Sequence, residues 1–205
     1  MIDMPPPDPS LEIVLASRGI SKGLAQTKGP QLVVRAELAF GPVYFGALAK
    51  NVTSPTSDGE AWAIIGSRKS LGGFDLAGSA AWKRLIAPVG NVDANALEII
   101  ASASRGIGRV TPRVSVIWSP DDLGSTGRST YLEAGAGYRL VKALTLSAAV
   151  GRRERRGGLD YTAYNAGLAY TLDKRLTLDL RYFDTSRSGD PAFKDRLVLS
   201  ARAKF

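Results

Sequence analysis

The sequence predicts an all-β fold: a transmembrane antiparallel β-barrel of 12 strands, with short periplasmic turns and longer extracellular loops. Apolar and polar residues alternate along most of the chain, short and long breaks interleave, and the number of alternating segments is even. A period of two places successive side chains on opposite faces of a strand. Most segments have a length close to the about 9 to 11 residues of a membrane-spanning strand.

The first ten residues differ from the rest. They hold four of the 11 prolines and show no apolar periodicity, which predicts an extended N-terminal extension over residues 1–10 and a barrel over 11–205. The chain has no basic start followed by an apolar run, so any secretory signal is expected to have been removed.

The alternation is clearest near the C-terminus, where Leu197 and Leu199 lie on one face and Arg202 and Lys204 lie on the other. The same pattern recurs along the chain. The segments expected to form strands are 11–20, 31–40, 43–52, 61–71, 74–86, 94–105, 110–119, 130–141, 144–152, 161–172, 175–185 and 196–205.

The breaks between these segments alternate in length. The short breaks are 41–42, 72–73, 106–109, 142–143 and 173–174, and the long ones are 21–30, 53–60, 87–93, 120–129, 153–160 and 186–195. This order predicts that both termini lie on the short-turn side. A soluble β-sandwich is the alternative, but charges occur on the second face of almost every strand, which a wet lumen tolerates and a sandwich core does not.

Aromatic residues are expected to form two girdles on the lipid face, because membrane barrels concentrate them at both interfaces. The predicted short-turn girdle contains Phe40, Phe74, Tyr138, Tyr170 and Phe205, and the long-loop girdle contains Trp82, Trp118, Tyr164 and Tyr182. Trp62 joins the long-loop girdle if its strand has the matching phase.

The composition excludes several classes of chemistry. The chain has no Cys and no His, which removes metal sites and nucleophile pairs built from them and leaves no imidazole general base. We therefore expect no enzyme activity, no catalytic residues, no metal and no cofactor. The net charge of +8 is spread singly along the strands, so nucleic acid is not an expected partner.

The last strand, ending at Phe205, resembles the final strand of bacterial outer-membrane proteins. This resemblance implies that Phe205 is the signal read by the barrel-assembly machinery. Further short stretches resemble the TorF family of porins, which implies a channel in a bacterial outer membrane. These stretches are 18–21, 43–46, 51–52, 160–162, 166–170, 195–198 and 204–205.

The inward phase of each strand predicts which charges line the lumen. The basic residues are Arg18, Arg35, Lys83, Arg113, Arg139, Arg175, Arg181, Arg196, Arg202 and Lys204, and the acidic ones are Glu12, Glu37, Asp75, Glu98, Glu133 and Asp179. Ten basic against six acidic residues predict passive diffusion of small solutes with mild anion preference. Acidic partners are expected to be few toward the short-turn end, where Glu12 and Asp75 are nearest.

The inward charges are also compatible with a closed barrel. They would pair across neighbouring strands and fill a small barrel, which would then act as a structural or partner-binding subunit of an outer-membrane assembly.

A cluster of arginines marks the break at 153–160. Arg152, Arg153, Arg155 and Arg156 surround Glu154, and on the long-loop side they would face the outer leaflet. We expect them to contact the lipid phosphates of lipopolysaccharide, because guanidinium groups bind phosphate with charge-assisted hydrogen bonds. The alternative is an ordinary solvated loop.

Overall fold

The computed structural model describes residues 5–54, 56–124 and 126–205. Within these residues, 12 antiparallel strands form a closed barrel, and two short strands, β2 (Ile20–Ser21) and β3 (Leu24–Ala25), form a separate hairpin. The barrel strands are β1 (Asp8–Ala16), β4 (Gln31–Phe40), β5 (Val43–Ser54), β6 (Ser57–Leu71), β7 (Phe74–Ile86), β8 (Asn95–Ser104), β9 (Val110–Asp122), β10 (Gly127–Val141), β11 (Leu144–Arg155), β12 (Tyr161–Thr171), β13 (Leu176–Thr185) and β14 (Arg196–Lys204). The described residues contain no helix long and apolar enough to cross a bilayer.

Pairing of the first and last strands closes the barrel. β1 pairs with both β14 and β4, and the backbones of Leu11 and Phe205 exchange hydrogen bonds of 3.0 and 2.8 Å. Asp8 pairs with Ala39, close to the turn at 41–42. The first strand therefore begins, and the last strand ends, on the short-turn side of the barrel. The predicted strand number, closure and termini are confirmed.

Several strands extend further than the sequence pattern predicted. β6 begins at Ser57 rather than at residue 61, and β9 and β10 continue to Asp122 and back to Gly127. β1 begins at Asp8, three residues before the predicted start. These segments are polar, but their backbones still pair in the sheet. A strand end that lies in water therefore has the same polar composition as a loop, and polarity alone could not tell them apart.

The break at 21–30 is not a simple loop. Residues 20–25 form the hairpin of β2 (Ile20–Ser21) and β3 (Leu24–Ala25), whose turn contains Lys22 and Gly23 with φ of 51° and 83°. A Cβ on Gly23 would lie 2.5 Å from the Ala163 Cβ on the inner wall of β12. The hairpin is therefore folded into the mouth of the barrel, and only glycine fits at position 23.

The lipid face follows the predicted phase. Exposed apolar residues alternate with interior residues, and the exposed fraction of the girdle residues Trp82, Trp118 and Tyr170 is 48, 40 and 49%. Trp62 differs, because it points inward, where the ammonium groups of Lys50 and Lys83 lie 5.0 and 4.6 Å from the centre of its ring. Trp62 is thus a lumen residue and not part of a girdle.

Replacing Leu199 with Arg should reduce the free energy of unfolding by about 2 to 4 kcal/mol, because an arginine facing lipid near the midplane is costly. Leu199 is 56% exposed on the outer face and lies opposite Leu180. Ser200→Arg is the matched control, since Ser200 lines an interior cavity and pairs with Asp179. Urea unfolding in lipid vesicles measures both, and equal losses would show that the assigned faces are wrong.

Candidate functional site

The tip of the β2–β3 hairpin carries a buried cation. The Lys22 ammonium pairs with the Glu98 carboxylate and lies 3.5 Å from an Asp122 carboxylate oxygen, while the Tyr161 hydroxyl donates to the Lys22 carbonyl at 2.6 Å. Burial lowers the pKa of the Lys22 ammonium below its usual value, and the Glu98 carboxylate opposes that shift. The hairpin is therefore held to the barrel wall through both its side chain and its backbone.

Two wall residues complete this buried cluster. The Lys83 ammonium lies 2.7 Å from Glu98, and Arg153 donates to Asp122 at 2.6 Å. The side chains of Lys22, Lys83, Glu98, Asp122 and Arg153 are at most 10% exposed. Each carboxylate thus compensates more than one cation, which matters because an uncompensated buried charge is strongly destabilising.

A second buried ion pair extends the cluster along the wall, onto the neighbouring strands β5 and β6. Lys50 lies 3.1 Å from Glu60, and the Trp62 indole donates to Glu60 at 3.0 Å. Because Lys50 and Lys83 both approach the ring of Trp62, this indole joins the two ion-pair groups.

An apolar group narrows the same end of the barrel. Phe193, in the short 3₁₀ helix Pro191–Phe193, packs edge-on against Tyr161 with ring centres 5.0 Å apart. Leu24 of the hairpin packs against this pair. At the same end, a vestibule of about 370 Å³ is lined by apolar residues and by charged ones that include Lys22, Lys83 and Arg153. Two loops therefore restrict the long-loop mouth.

The lumen toward the short-turn end is more open. Arg68 donates two hydrogen bonds to Glu37, of 2.5 and 2.7 Å, and Arg35 donates a third of 3.1 Å. The guanidinium carbon of Arg68 lies 4.0 Å from the centre of the Tyr44 ring. A cavity of about 360 Å³ reaches from this group to Glu12 and Lys204.

The opposite wall carries a second set of ion pairs. Arg113 lies 3.0 Å from Glu133 and Arg181 lies 3.0 Å from Asp179, around a cavity of about 450 Å³. Arg181 also donates to Asn165 at 2.7 Å and to Ser147 at 2.8 Å. The amide and hydroxyl hold this guanidinium close to the wall.

In most of these pairs the cation is more exposed than its carboxylate. The side chain of Arg68 is 51% exposed against 8% for Glu37, and that of Arg113 is 51% exposed against 16% for Glu133. Arg202 and Lys204, at 53 and 61%, both exceed Glu12 at 28%. A solute in this part of the lumen meets guanidinium and ammonium groups before it meets carboxylates.

Sequence comparison agrees with this geometry. The family model for Gram-negative porins matches residues 16–190. The chain belongs to this porin family. No curated protein matches it in sequence.

Two solved porins and a solved outer-membrane protein share the fold. The KdgM porin in complex with disordered oligogalacturonate has a TM-score of 0.67 at 11% identity, covering 96% of this chain and 99% of that one. The NanC porin has a TM-score of 0.59 at 9% identity, covering 95 and 97%. OmpT of Vibrio cholerae with loop L8 deleted has a TM-score of 0.54 at 9% identity, covering 98 and 99%. Membership of the Gram-negative porin family places the protein in the outer membrane and is typical of a channel.

Most of the lumen residues proposed from sequence have a clear place in this porin. Arg35, Glu37, Lys83, Glu98, Arg113, Glu133, Asp179, Arg181, Arg202 and Lys204 take part in the interior ion pairs. Asp75 accepts a 2.6 Å hydrogen bond from Ser70, and Arg139 donates to the Gly108 carbonyl at 3.3 Å at the short-turn end. Arg18 is different: β1 ends at Ala16, and Arg18 donates to the Lys28 carbonyl at 2.7 Å within the first long loop.

Two expectations need correction. Acidic partners are not few, because Glu12, Glu37 and Glu133 each pair with a cation in the short-turn half. Arg153 does not face the outer leaflet: β11 continues to Arg155, and its period of two turns Arg153 inward to Asp122.

Six interior charges were missed: Lys22, Lys50, Glu60, Arg68, Asp122 and Arg153. Continuing the alternation into the polar strand ends would have found Glu60, Asp122 and Arg153. The sequence pattern left open whether Trp62 faces the lipid or the lumen. The inward position of Arg68, on the same strand, was therefore not predicted. No sequence signal indicated that Lys22 folds inward.

Glu98→Gln should lower the free energy of unfolding by about 3 to 5 kcal/mol, because it leaves Lys22 and Lys83 buried without their shared carboxylate. Glu133→Gln is the control, since its partner Arg113 is half exposed and such a pair contributes about 1 kcal/mol or less. Urea unfolding measures both variants. Equal stability of the two would show that the buried cluster does not hold the mouth together.

Proposed function

We propose that this protein is a narrow outer-membrane porin, of the TorF type, through which small solutes diffuse passively with a mild preference for anions. The observation that carries the proposal is the exposure of lumen cations over their paired carboxylates. The side chains of Arg68, Arg113 and Lys204 are half or more exposed, against 8 to 28% for the carboxylates that they pair with.

The charge balance of the lumen supports the same preference. Ten cationic and seven carboxylate side chains form the interior ion pairs, an excess of three positive charges among the described residues. Arg and Lys side chains around a narrow aqueous path lower the barrier for anions relative to cations. The preference is mild because each carboxylate compensates at least one neighbour.

The relatives suggest a first solute to test. The structure of the KdgM porin contains oligogalacturonate, a carboxylated sugar chain. A carboxylated sugar would meet the exposed guanidinium groups of Arg68, Arg113 and Arg202 in this lumen, and these groups form bidentate hydrogen bonds with carboxylates.

A largely closed barrel that serves an outer-membrane assembly is the second candidate. It is favoured by the hairpin and Phe193, which narrow the long-loop mouth. A barrel that conducts no ions and copurifies with another outer-membrane protein would support it. In either case we propose that the barrel-assembly machinery recognises the last strand through Phe205, whose side chain is 62% exposed.

Replacing Arg68, Arg113 and Arg202 together with Gln should move the reversal potential in a salt gradient toward the cation side, because the exposed positive charge is removed. The effect should be largest at low salt, since exposed charges act over only about 10 Å at 0.1 M. Arg152→Gln is the control, as Arg152 lies on the outer face. An unchanged reversal potential in the triple variant would contradict the proposed origin of selectivity.

Replacing residues 20–25 with six Gly and Ser residues should increase single-channel conductance, because the hairpin no longer occupies the mouth. Lys28→Ala, in the same long loop but exposed, is the control and should conduct like the unmodified protein. Planar-bilayer recording measures both. If the hairpin replacement leaves conductance unchanged, the hairpin is not the constriction.

A further inference from the structure

The outer wall carries a groove at the long-loop end that the channel does not use. Trp118, Thr130 and Glu154 lie opposite one another on β9, β10 and β11 and form one row on the outer face. Together with Arg128, Arg155, Arg156 and Asp160 they surround a groove of about 460 Å³. The groove therefore lies at the level of the girdle residue Trp118.

Arg152 lies one row closer to the membrane centre. It pairs with Leu132 on β10 and Thr162 on β12, and the next row down contains Val150 and Tyr164. Arg152 is thus an outward arginine between the levels of two girdle residues, Tyr164 and Trp118. At that depth its neighbours are lipid chains and headgroups, toward which a long side chain can extend its charged end.

Carboxylates near these arginines do not hold them tightly. The guanidinium of Arg152 lies 3.9 Å from Glu154 and 3.8 Å from Asp160, beyond hydrogen-bond distance, and its side chain is 50% exposed. In the described part of the chain, the groove is lined by three arginines, Arg128, Arg155 and Arg156, and by the two carboxylates, beside which Arg152 lies. Donor groups remain available for an anionic ligand.

The backbone fixes the positions of Arg128 and Arg156. The Arg156 amide donates to the Arg128 carbonyl at 2.9 Å, and the next amide, of Gly157, donates to the Thr126 carbonyl at 2.8 Å. The two arginines are therefore held at neighbouring strand ends.

The guanidinium groups of the other two arginines of the sequence cluster are engaged by contacts within the protein. Arg153 pairs with Asp122 inside the barrel, and Arg155 donates to the Leu159 carbonyl at 2.8 Å and stacks 5.5 Å above the ring of Tyr161. The basic face turned to the membrane therefore consists of Arg128, Arg152 and Arg156.

We propose that Arg128, Arg152 and Arg156 bind a phosphate group of an outer-leaflet lipid, with lipopolysaccharide as its source. Guanidinium groups match phosphate oxygens with paired, charge-assisted hydrogen bonds. Trp118 borders the groove at the depth where a headgroup meets the acyl chains. The site acts on the membrane side and is separate from the solute pathway proposed above.

The test compares lipid binding by the intact barrel and by the triple variant Arg128→Gln, Arg152→Gln, Arg156→Gln. Purified lipopolysaccharide is added to detergent-solubilised protein, and bound lipid is counted by native mass spectrometry. The variant should bind about tenfold more weakly, equivalent to about 1.4 kcal/mol. Arg84→Gln is the matched control, because Arg84 is an exposed outward arginine on β7, away from the groove.

A second arm distinguishes lipid from free phosphate. Inorganic phosphate at millimolar concentration should displace little lipopolysaccharide if the acyl chains and headgroup bind together. Undiminished lipid binding by the triple variant, an equal loss in Arg84→Gln, or full displacement by inorganic phosphate would each overturn the proposal. Heat-dependent mobility in gel electrophoresis verifies that every variant is folded.

Discussion

The structure depends on one constraint: a charge placed inside the barrel must have a partner, because water is scarce next to a packed wall. Glu98 meets this constraint for two cations, Lys22 of the first long loop and Lys83 of the wall. That shared carboxylate, with the Tyr161 hydroxyl, holds the hairpin inside the mouth. The narrow long-loop entrance is thus a consequence of charge compensation as much as of apolar packing.

The charges are paired at both ends of the lumen, but the pairs differ in how deeply they are buried. At the long-loop end the ion pairs are buried, and both partners are shielded. Toward the short-turn end the carboxylates of Glu37 and Glu133 lie against the wall, while Arg68 and Arg113 extend into the lumen. Near-neutral pairing and a positive inner surface therefore coexist. This arrangement connects the stability of the barrel to the preference proposed for its solutes.

The fold could be predicted closely from sequence because a barrel wall has two environments and a strand has a period of two. The strand count, the closure and most inward charges, such as Arg113 and Asp179, follow from that period. The hairpin could not be predicted, since Lys22 contacts residues 76 and 100 positions away in the chain. Polar strand ends beyond the bilayer, including Asp122 and Arg153, resemble loops in composition, which concealed their inward positions.

The most direct test of the account is the reversal potential of the unmodified protein across a tenfold KCl gradient in a planar bilayer. Exposed lumen cations predict a reversal potential with the sign of chloride selectivity. Its size should be modest and should increase when both solutions are diluted. A potential on the potassium side, or a folded barrel that conducts no current, would contradict the claim that the pairing of lumen charges leaves an anion-preferring path.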